Sequence, residues 1–157
     1  MRALIEELES EFAAVEDRLR SLIEATPESL LFMKPFPDGH TLVELSVGGC
    51  IIRAGAMIEQ AFLGITRRLW DDPFEWTLPE KLSTSEAILE YLDEVSETRA
   101  KGMAFLTSDT ELARQLPAPE RLRSLLAVLL EALLQAENFR GKAEVVLRSI
   151  ESTAGHK

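Results

Sequence analysis

Few side chains in this sequence could take part in a reaction, and the single cysteine is the first to consider. Cys50 lies in the apolar segment LSVGGCIIRAGAMI. A thiol becomes a nucleophile or a metal ligand when a base or a cation nearby lowers its pKa, and the only candidate is Arg53, about one helical turn away. The favoured interpretation is a small buried core residue, with a nucleophile as the alternative.

The two histidines offer little more. His40 and Glu44 are four residues apart, so they could meet at the first turn of a helix, with Asp38 close by. No third partner can be named for a metal site or an acid–base pair. We therefore interpret His40 as a surface residue beside a helix cap and expect His156, near the end of the sequence, to be inert.

A cluster of polar residues lies near the end of the last apolar segment, at Glu131, Gln135, Glu137 and Asn138. A solvated helix face explains most of these residues. Gln135 and Asn138 are the two candidates for lining a cavity.

Aromatic residues could form the mouth of a pocket or close the end of a helical bundle. The second role is favoured for the four in question, which are Trp70, Phe74, Trp76 and Tyr91.

Composition narrows the classes of partner. The 157 residues suit one domain, expected over 1–151 with a frayed tail over 152–157. A formal charge of −10 argues against nucleic acid and anionic membrane surfaces as partners. One cysteine cannot form an intrachain disulfide, and the acidic amphipathic start is unlike a signal peptide. We therefore expect a cytoplasmic protein.

Hydrophobic periodicity and proline positions predict four long helices and no strand, that is, an all-α four-helix bundle. Helix one covers 2–25, with a stripe formed by Leu4, Leu8, Phe12, Val15, Leu19 and Leu22, and stops before Thr26-Pro27. Helix two runs from Thr41, which forms a capping box with Glu44, to about 69. The longer connections are expected after helices one and two.

The second half of the chain holds the other two helices. Helix three follows a capping box of Ser83 and Glu86 and ends near 106. A short helical turn then ends at Pro117 and Pro119, and helix four runs from Pro119 to Ile150.

Helix two is apolar on almost every face, which predicts more apolar surface than one bundle can cover. Gly48, Gly49 and Gly55 suggest close approach of another backbone. A homodimer through helix two and its neighbours is the simplest arrangement that would cover this surface.

The segments PFPDGHTLVELSVGG and LLQAENFRGKAEVVLR resemble the two characteristic segments of the DinB-like family of four-helix bundles. That family includes bacillithiol- and mycothiol-dependent transferases. The likeness covers nearly the whole chain and implies the family's bundle fold. It also implies that Arg140 holds a carboxylate of a neighbouring helix and that Gly141 allows close helix contact.

The family's three metal-binding histidines are absent. The resemblance places them at Gly48, Gln135 and Phe139. A catalytic divalent ion needs about three protein ligands, and two of these residues have no donor atom, so we predict no metal and no cofactor. We also expect the ring of Phe139 to fill the volume between helices two and four where the metal would lie.

Three functions follow. The favoured one is a non-catalytic binding or self-associating protein. One alternative is a metal-dependent thiol transferase with a ligand set drawn from Glu44, Glu59 or Glu131. The other is a small-molecule binder that uses the vacated cavity, for which the candidate lining residues are Glu44, Cys50, Gln135, Asn138 and Phe139.

Overall fold

Four long α-helices form most of the computed structural model, which describes residues 1–35, 46–72 and 81–155. They are α1 (Ala3–Ala25), α2 (Val47–Arg67), α3 (Ser85–Ala104) and α4 (Leu125–Ala154). α1 and α2 lie diagonally opposite, and each packs against both α3 and α4. The predicted all-α four-helix bundle is confirmed.

The first helix follows the predicted stripe with a small rotation. Phe12, Val15 and Leu19 are buried as expected, but Ile5 and Ile23 enter the core where Leu4 and Leu22 were predicted. Arg2 supplies no side-chain cap for α1. Instead the backbone N–H groups of Leu4 and Ile5 donate to the carboxylate of Asp109, at 3.1 and 3.0 Å. A residue far along the chain therefore satisfies free donors of the first turn.

The second helix begins later than the sequence indicated. The structure starts α2 at Val47, with Ser46 extended and its hydroxyl accepting from the N–H of Gly49 at 3.0 Å. The predicted start at Thr41 is therefore wrong, and the capping box of Thr41 with Glu44 lies outside the described residues. The helix ends at Arg68, whose left-handed backbone (φ 56°) closes the last turn.

The apolar faces of α2 are covered within this chain. Between Val47 and Ile65 every residue of the helix is buried or half-buried. The predicted excess of apolar surface is absent over that range, so the argument for a homodimer through helix two is lost.

The cap of helix α3 lies one residue after the predicted one. Thr84, not Ser83, accepts from the backbone N–H of Ala87, at 3.1 Å. A 3-10 helix, Asp109–Ala113, follows with a capping box of Ser108 and Glu111.

A short hairpin precedes the last helix and was not predicted. Strand β1 (Gln115–Ala118) pairs antiparallel with β2 (Arg121–Ser124). Helix α4 therefore starts at Leu125, capped by the Ser124 hydroxyl, and the predicted start at Pro119 is wrong. It continues to Ala154, past the predicted end at Ile150 and into the tail that was expected to fray.

One hydrophobic core joins all four helices, and its largest fully buried side chains include Phe12, Phe62, Leu92 and Leu125. The rings of Phe12 and Phe62 meet edge to face with centroids 5.4 Å apart. Over the described ranges, none of the helices combines the length and low polarity that crossing a bilayer requires.

Candidate functional site

A groove of about 450 Å³ lies between α2, α4 and the hairpin. Its lining residues come from α2, from the segment just after it, from the hairpin and from α4. They are Arg53, Met57, Gln60, Ala61, Trp70, Ala118, Pro119, Arg123, Val128, Glu131, Ala132, Gln135 and Phe139. The hairpin thus positions one wall of a site whose other walls are helices.

The walls of the groove are mostly apolar. Ala61 of α2 and Ala132 of α4 contribute short apolar side chains to the walls. The longer side chains of Met57 and Phe139 and the ring of Trp70 also line the groove. Such a surface suits the apolar part of a small molecule.

Two ion pairs border the groove. Arg53 donates to Asp72, with the nitrogen and oxygen 3.3 Å apart. Arg123 of the hairpin pairs with Glu131 of α4, and its Nη2 also donates to the carbonyl of Ala127 at 3.3 Å. Charged groups of both signs therefore lie beside an apolar surface.

Trp70 forms the end of the groove nearest the close of α2. Its ring lies so close to Gly64 that a Cβ at that position would be 2.2 Å from a ring carbon. The side-chain amide of Gln60 donates to the Trp70 carbonyl at 2.8 Å, which fixes the chain direction after the helix. Within the described residues, the indole N–H of Trp70 is buried without an acceptor.

Gln135 and Phe139, two of the predicted site residues, both line this groove. The ring of Phe139 is half-buried against the core, and the Lys142 ammonium lies 4.8 Å from its centroid. Asn138 is exposed and is not part of the lining. Of the three α4 residues predicted to line a cavity, Gln135 and Phe139 therefore border this groove and Asn138 does not.

Gly48 lies elsewhere and contacts the segment after α1. A Cβ at this position would be 2.8 Å from the ring of Phe32 and 3.1 Å from the carbonyl oxygen of Leu31. The backbone N–H of Gly48 donates to that same carbonyl, at 2.7 Å. Phe32, and not Phe139, therefore takes the space that a side chain at position 48 would need.

Cys50 is buried in the core, as the favoured interpretation predicted. Burial raises the pKa of its thiol to about 11, and the charge of Lys142 only partly opposes this shift. The thiol is therefore protonated at neutral pH and does not line the groove.

The three positions implied by the family resemblance do not fit a metal. Gly48 has no side chain, its neighbourhood is taken by Phe32, and Phe139 carries a phenyl ring. Gln135 alone provides a donor oxygen, which is too few for a catalytic ion. Among residues 1–35, 46–72 and 81–155, no three His, Cys, Asp or Glu side chains converge as ligands.

Two of the three glutamates considered as ligands of an alternative metal site make other contacts. Glu59 accepts from the hydroxyl of Tyr91 at 2.7 Å, between α2 and α3. Burial raises the pKa of Glu59, and the Tyr91 hydrogen bond partly offsets that rise. Glu131 pairs with Arg123. Glu44 lies outside the described residues.

Arg140 and Gly141, in the middle of α4, make different contacts from those that the resemblance implies. Arg140 pairs with Glu137 and Glu144 of its own helix, at 2.6 and 2.9 Å, and not with a neighbouring helix. An added Cβ at Gly141 would meet nothing within 4 Å. Both predictions for Arg140 and Gly141 are therefore wrong.

Four residues considered as candidates, His40, Phe74, Trp76 and His156, lie outside the residues that the structure describes. Conversely, no pattern in the sequence singled out Met57 or Arg123. Arg123 reaches the groove because the hairpin places it there. Two features of the sequence could have predicted the hairpin: the turn at Pro119, and Ser124 ahead of an apolar run.

Comparison with known proteins gives no match, since no family model, no curated protein and no solved structure matches this chain.

Proposed function

We propose that this chain is a non-catalytic binding protein that holds a small amphipathic acid in the groove between α2, α4 and the hairpin. The observation that carries the proposal is the meeting of an apolar wall with the Arg123 guanidinium in one groove of suitable size. Pockets for small ligands usually measure about 300–1,000 Å³ and combine apolar walls with a few polar groups.

Size and lining support the apolar part of the ligand. Met57, Phe139 and Trp70 offer one aliphatic and two aromatic surfaces around a volume of about 450 Å³. An aromatic ring system of two fused rings, or a short alkyl chain, would remove much of this surface from water on binding.

The charged side chains that line the groove support a carboxylate as the polar part of the ligand. The chain as a whole carries −10, yet two arginines and one glutamate line the groove. A guanidinium has five N–H donors, and Arg123 uses some of them for Glu131 and the Ala127 carbonyl. A ligand carboxylate can take further donors of the same group without breaking the existing pair.

Titration calorimetry with naphthalene-1-acetate, 4-phenylbutyrate and small thiols tests the proposal. We expect one of the two aromatic acids to bind, and Gln135→Trp to raise its Kd at least about tenfold by filling the groove. The control is Asn138→Trp, which places the same side chain on an exposed α4 position outside the lining. Absence of binding by every probe, or equal weakening by both variants, would contradict the proposal.

We further propose descent from the DinB-like bundles with loss of the metal chemistry. The four-helix architecture supports this relationship, and the residues at 48, 135 and 139 support the loss. The competing thiol-transferase function needs a metal. Elemental analysis of protein purified without a histidine tag should find less than stoichiometric zinc and nickel, and one bound ion per chain would restore the enzyme as the leading account.

A further inference from the structure

Trp70 buries a polar side-chain atom that has no hydrogen-bond partner. In the buried and half-buried side chains of residues 1–35, 46–72 and 81–155, every other buried nitrogen or oxygen has one. An unpaired buried donor is costly, so native proteins contain few of them and each calls for an explanation. Because the Trp70 ring borders the groove, a bound ligand can supply the missing acceptor.

The backbone fixes the place of this ring where the chain leaves α2. Arg68 closes the helix with a left-handed backbone (φ 56°). The side-chain amide of Gln60 then donates to the carbonyls of Trp70 and Asp71, at 2.8 and 3.4 Å, so the chain turns back along α2. Gly64 has no side chain, and the indole ring occupies the place where one would lie. The ring is therefore positioned without any bond to its nitrogen.

The two edges of the indole have different surroundings. The ring atoms that a Cβ at Gly64 would meet are Cε3, Cζ3 and Cδ2 of Trp70. These atoms lie along the edge of the indole opposite Nε1, so the N–H is turned away from the backbone of α2. The N–H edge is therefore the part of the ring that this helix does not hold.

We propose that the Trp70 N–H is the second polar contact for the ligand of the groove, and that this ligand is an acid with a neutral acceptor, such as a carbonyl oxygen, in its apolar part. The inference rests on the proposed function, because Arg123 binds the carboxylate of the same ligand. As the ring lies, the N–H is closed to solvent, and the contact forms when the indole turns slightly as the ligand enters. The turn breaks no hydrogen bond of the indole, and the bond gained favours the turned ring.

The charges around the groove favour a neutral acceptor over a second carboxylate. Glu131 lies in the lining and the chain carries −10 overall, so a ligand with two negative charges would meet more repulsion than one with a single charge. An indole N–H is a donor only. In an apolar wall it distinguishes a ligand that has an acceptor from one that lacks it. An aryl or alkyl oxo acid has this combination of groups.

Titration calorimetry with two matched acids tests the inference. 4-Phenylbutyrate and 4-oxo-4-phenylbutyrate have the same ring and chain length and differ by one carbonyl oxygen. We expect the oxo acid to bind about fivefold more tightly, which is the size of one added hydrogen bond. Trp70→Phe keeps an aromatic ring in the wall but removes the N–H, and it should lose this preference. The matched control is Phe139→Leu, which changes an aromatic wall residue that has no donor and should retain the preference.

The outcomes separate this inference from the proposed function. Equal binding of the two acids by the unmodified chain, or tighter binding of 4-phenylbutyrate, would overturn the inference and leave the proposed function standing. A preference for the oxo acid that survives Trp70→Phe would do the same. If neither acid binds, the inference fails, and the proposed function fails with it only when naphthalene-1-acetate does not bind either.

The NMR signal of the indole N–H gives a second readout that does not depend on affinity. In isotope-labelled chain, this signal is assigned to Trp70 by its loss in Trp70→Phe. It should move downfield on saturation with the oxo acid, because a donor that gains an acceptor is deshielded, and it should move less with 4-phenylbutyrate. Equal shifts with the two acids would contradict the hydrogen bond.

Discussion

α3 and α4 occupy equivalent places in the bundle, since each packs against both α1 and α2, but their contacts differ in chemistry. α3 meets α1 through a buried ion pair, in which the Arg99 guanidinium donates twice to the Glu16 carboxylate, at 2.8 and 3.0 Å. The Ser96 hydroxyl donates to the same carboxylate at 2.9 Å.

Contacts of α4 are mostly apolar. Its buried residues include Leu129, Ala136 and Ala143, and its ion pair with α1, between Glu137 and Arg18, is part-exposed. Small residues and a hairpin wall leave a groove on one side of this helix. α3 therefore meets α1 through a buried ion pair, whereas α4 borders the groove in which we propose that a ligand binds.

The largest expected effect concerns the buried ion pair. Arg99→Met leaves the Glu16 carboxylate buried without its partner and should cost about 3–5 kcal/mol of unfolding free energy, measured by urea denaturation. The double variant Glu16→Leu with Arg99→Met removes both charges and should recover most of that loss. A double variant as unstable as the single one would show that packing, and not the ion pair, distinguishes α3.

The next largest change in the free energy of unfolding is expected from substitutions at two helical glycines. A Cβ at Gly102 of α3 would be 2.6 Å from the buried Phe62 ring, so Gly102→Ala should destabilise the fold by roughly 1–3 kcal/mol. Gly141 of α4 has open space, and Gly141→Ala should stabilise by about 0.5–1 kcal/mol through helix propensity. Equal effects of the two changes in denaturant melts would remove the contrast between the helices.

The smallest effect is a pH dependence at the α2–α3 contact. Because burial raises the pKa of Glu59 in the folded state, its contribution to stability is present at low pH and is lost as pH rises through the folded value. Glu59→Gln should therefore raise Tm relative to the unmodified chain at pH 8 and not at pH 4. Exposed Glu97, whose pKa is lowered by the hydrogen bond and charge of Lys101, is the control. Glu97→Gln should give no gain at pH 8.

Local patterns were sufficient for α1 and α3, whereas the predicted starts of α2 and α4 were wrong by about six residues. Proline positions and apolar spacing gave α1 and α3 to within a few residues, because both signals act within one turn of the chain. Glu16 is a charged residue within the buried stripe of α1. A carboxylate at such a position indicates a buried cationic partner, and the sequence analysis did not consider it. Nothing local could identify Arg99 as that partner, 83 residues away.

The groove was predictable only in part for the same reason. The family resemblance singled out Gln135 and Phe139, which are four residues apart on α4, and both line the groove. The wall formed by Ala118, Pro119 and Arg123 depends on strand pairing between two four-residue segments. The proline-rich sequence of this region predicts a helical turn and a helix start, so it does not reveal the hairpin wall of the groove.

We propose that the ligand binds beside α4 and not beside α3, and NMR shift mapping with naphthalene-1-acetate tests this claim most directly. We predict that the perturbed signals will be the Trp70 indole N–H and the backbone amides of Met57, Gln135 and Phe139. Signals of Glu16, Ser96 and Arg99 should stay unchanged. Perturbation confined to the α1–α3 contact, or none at millimolar ligand, would contradict the claim.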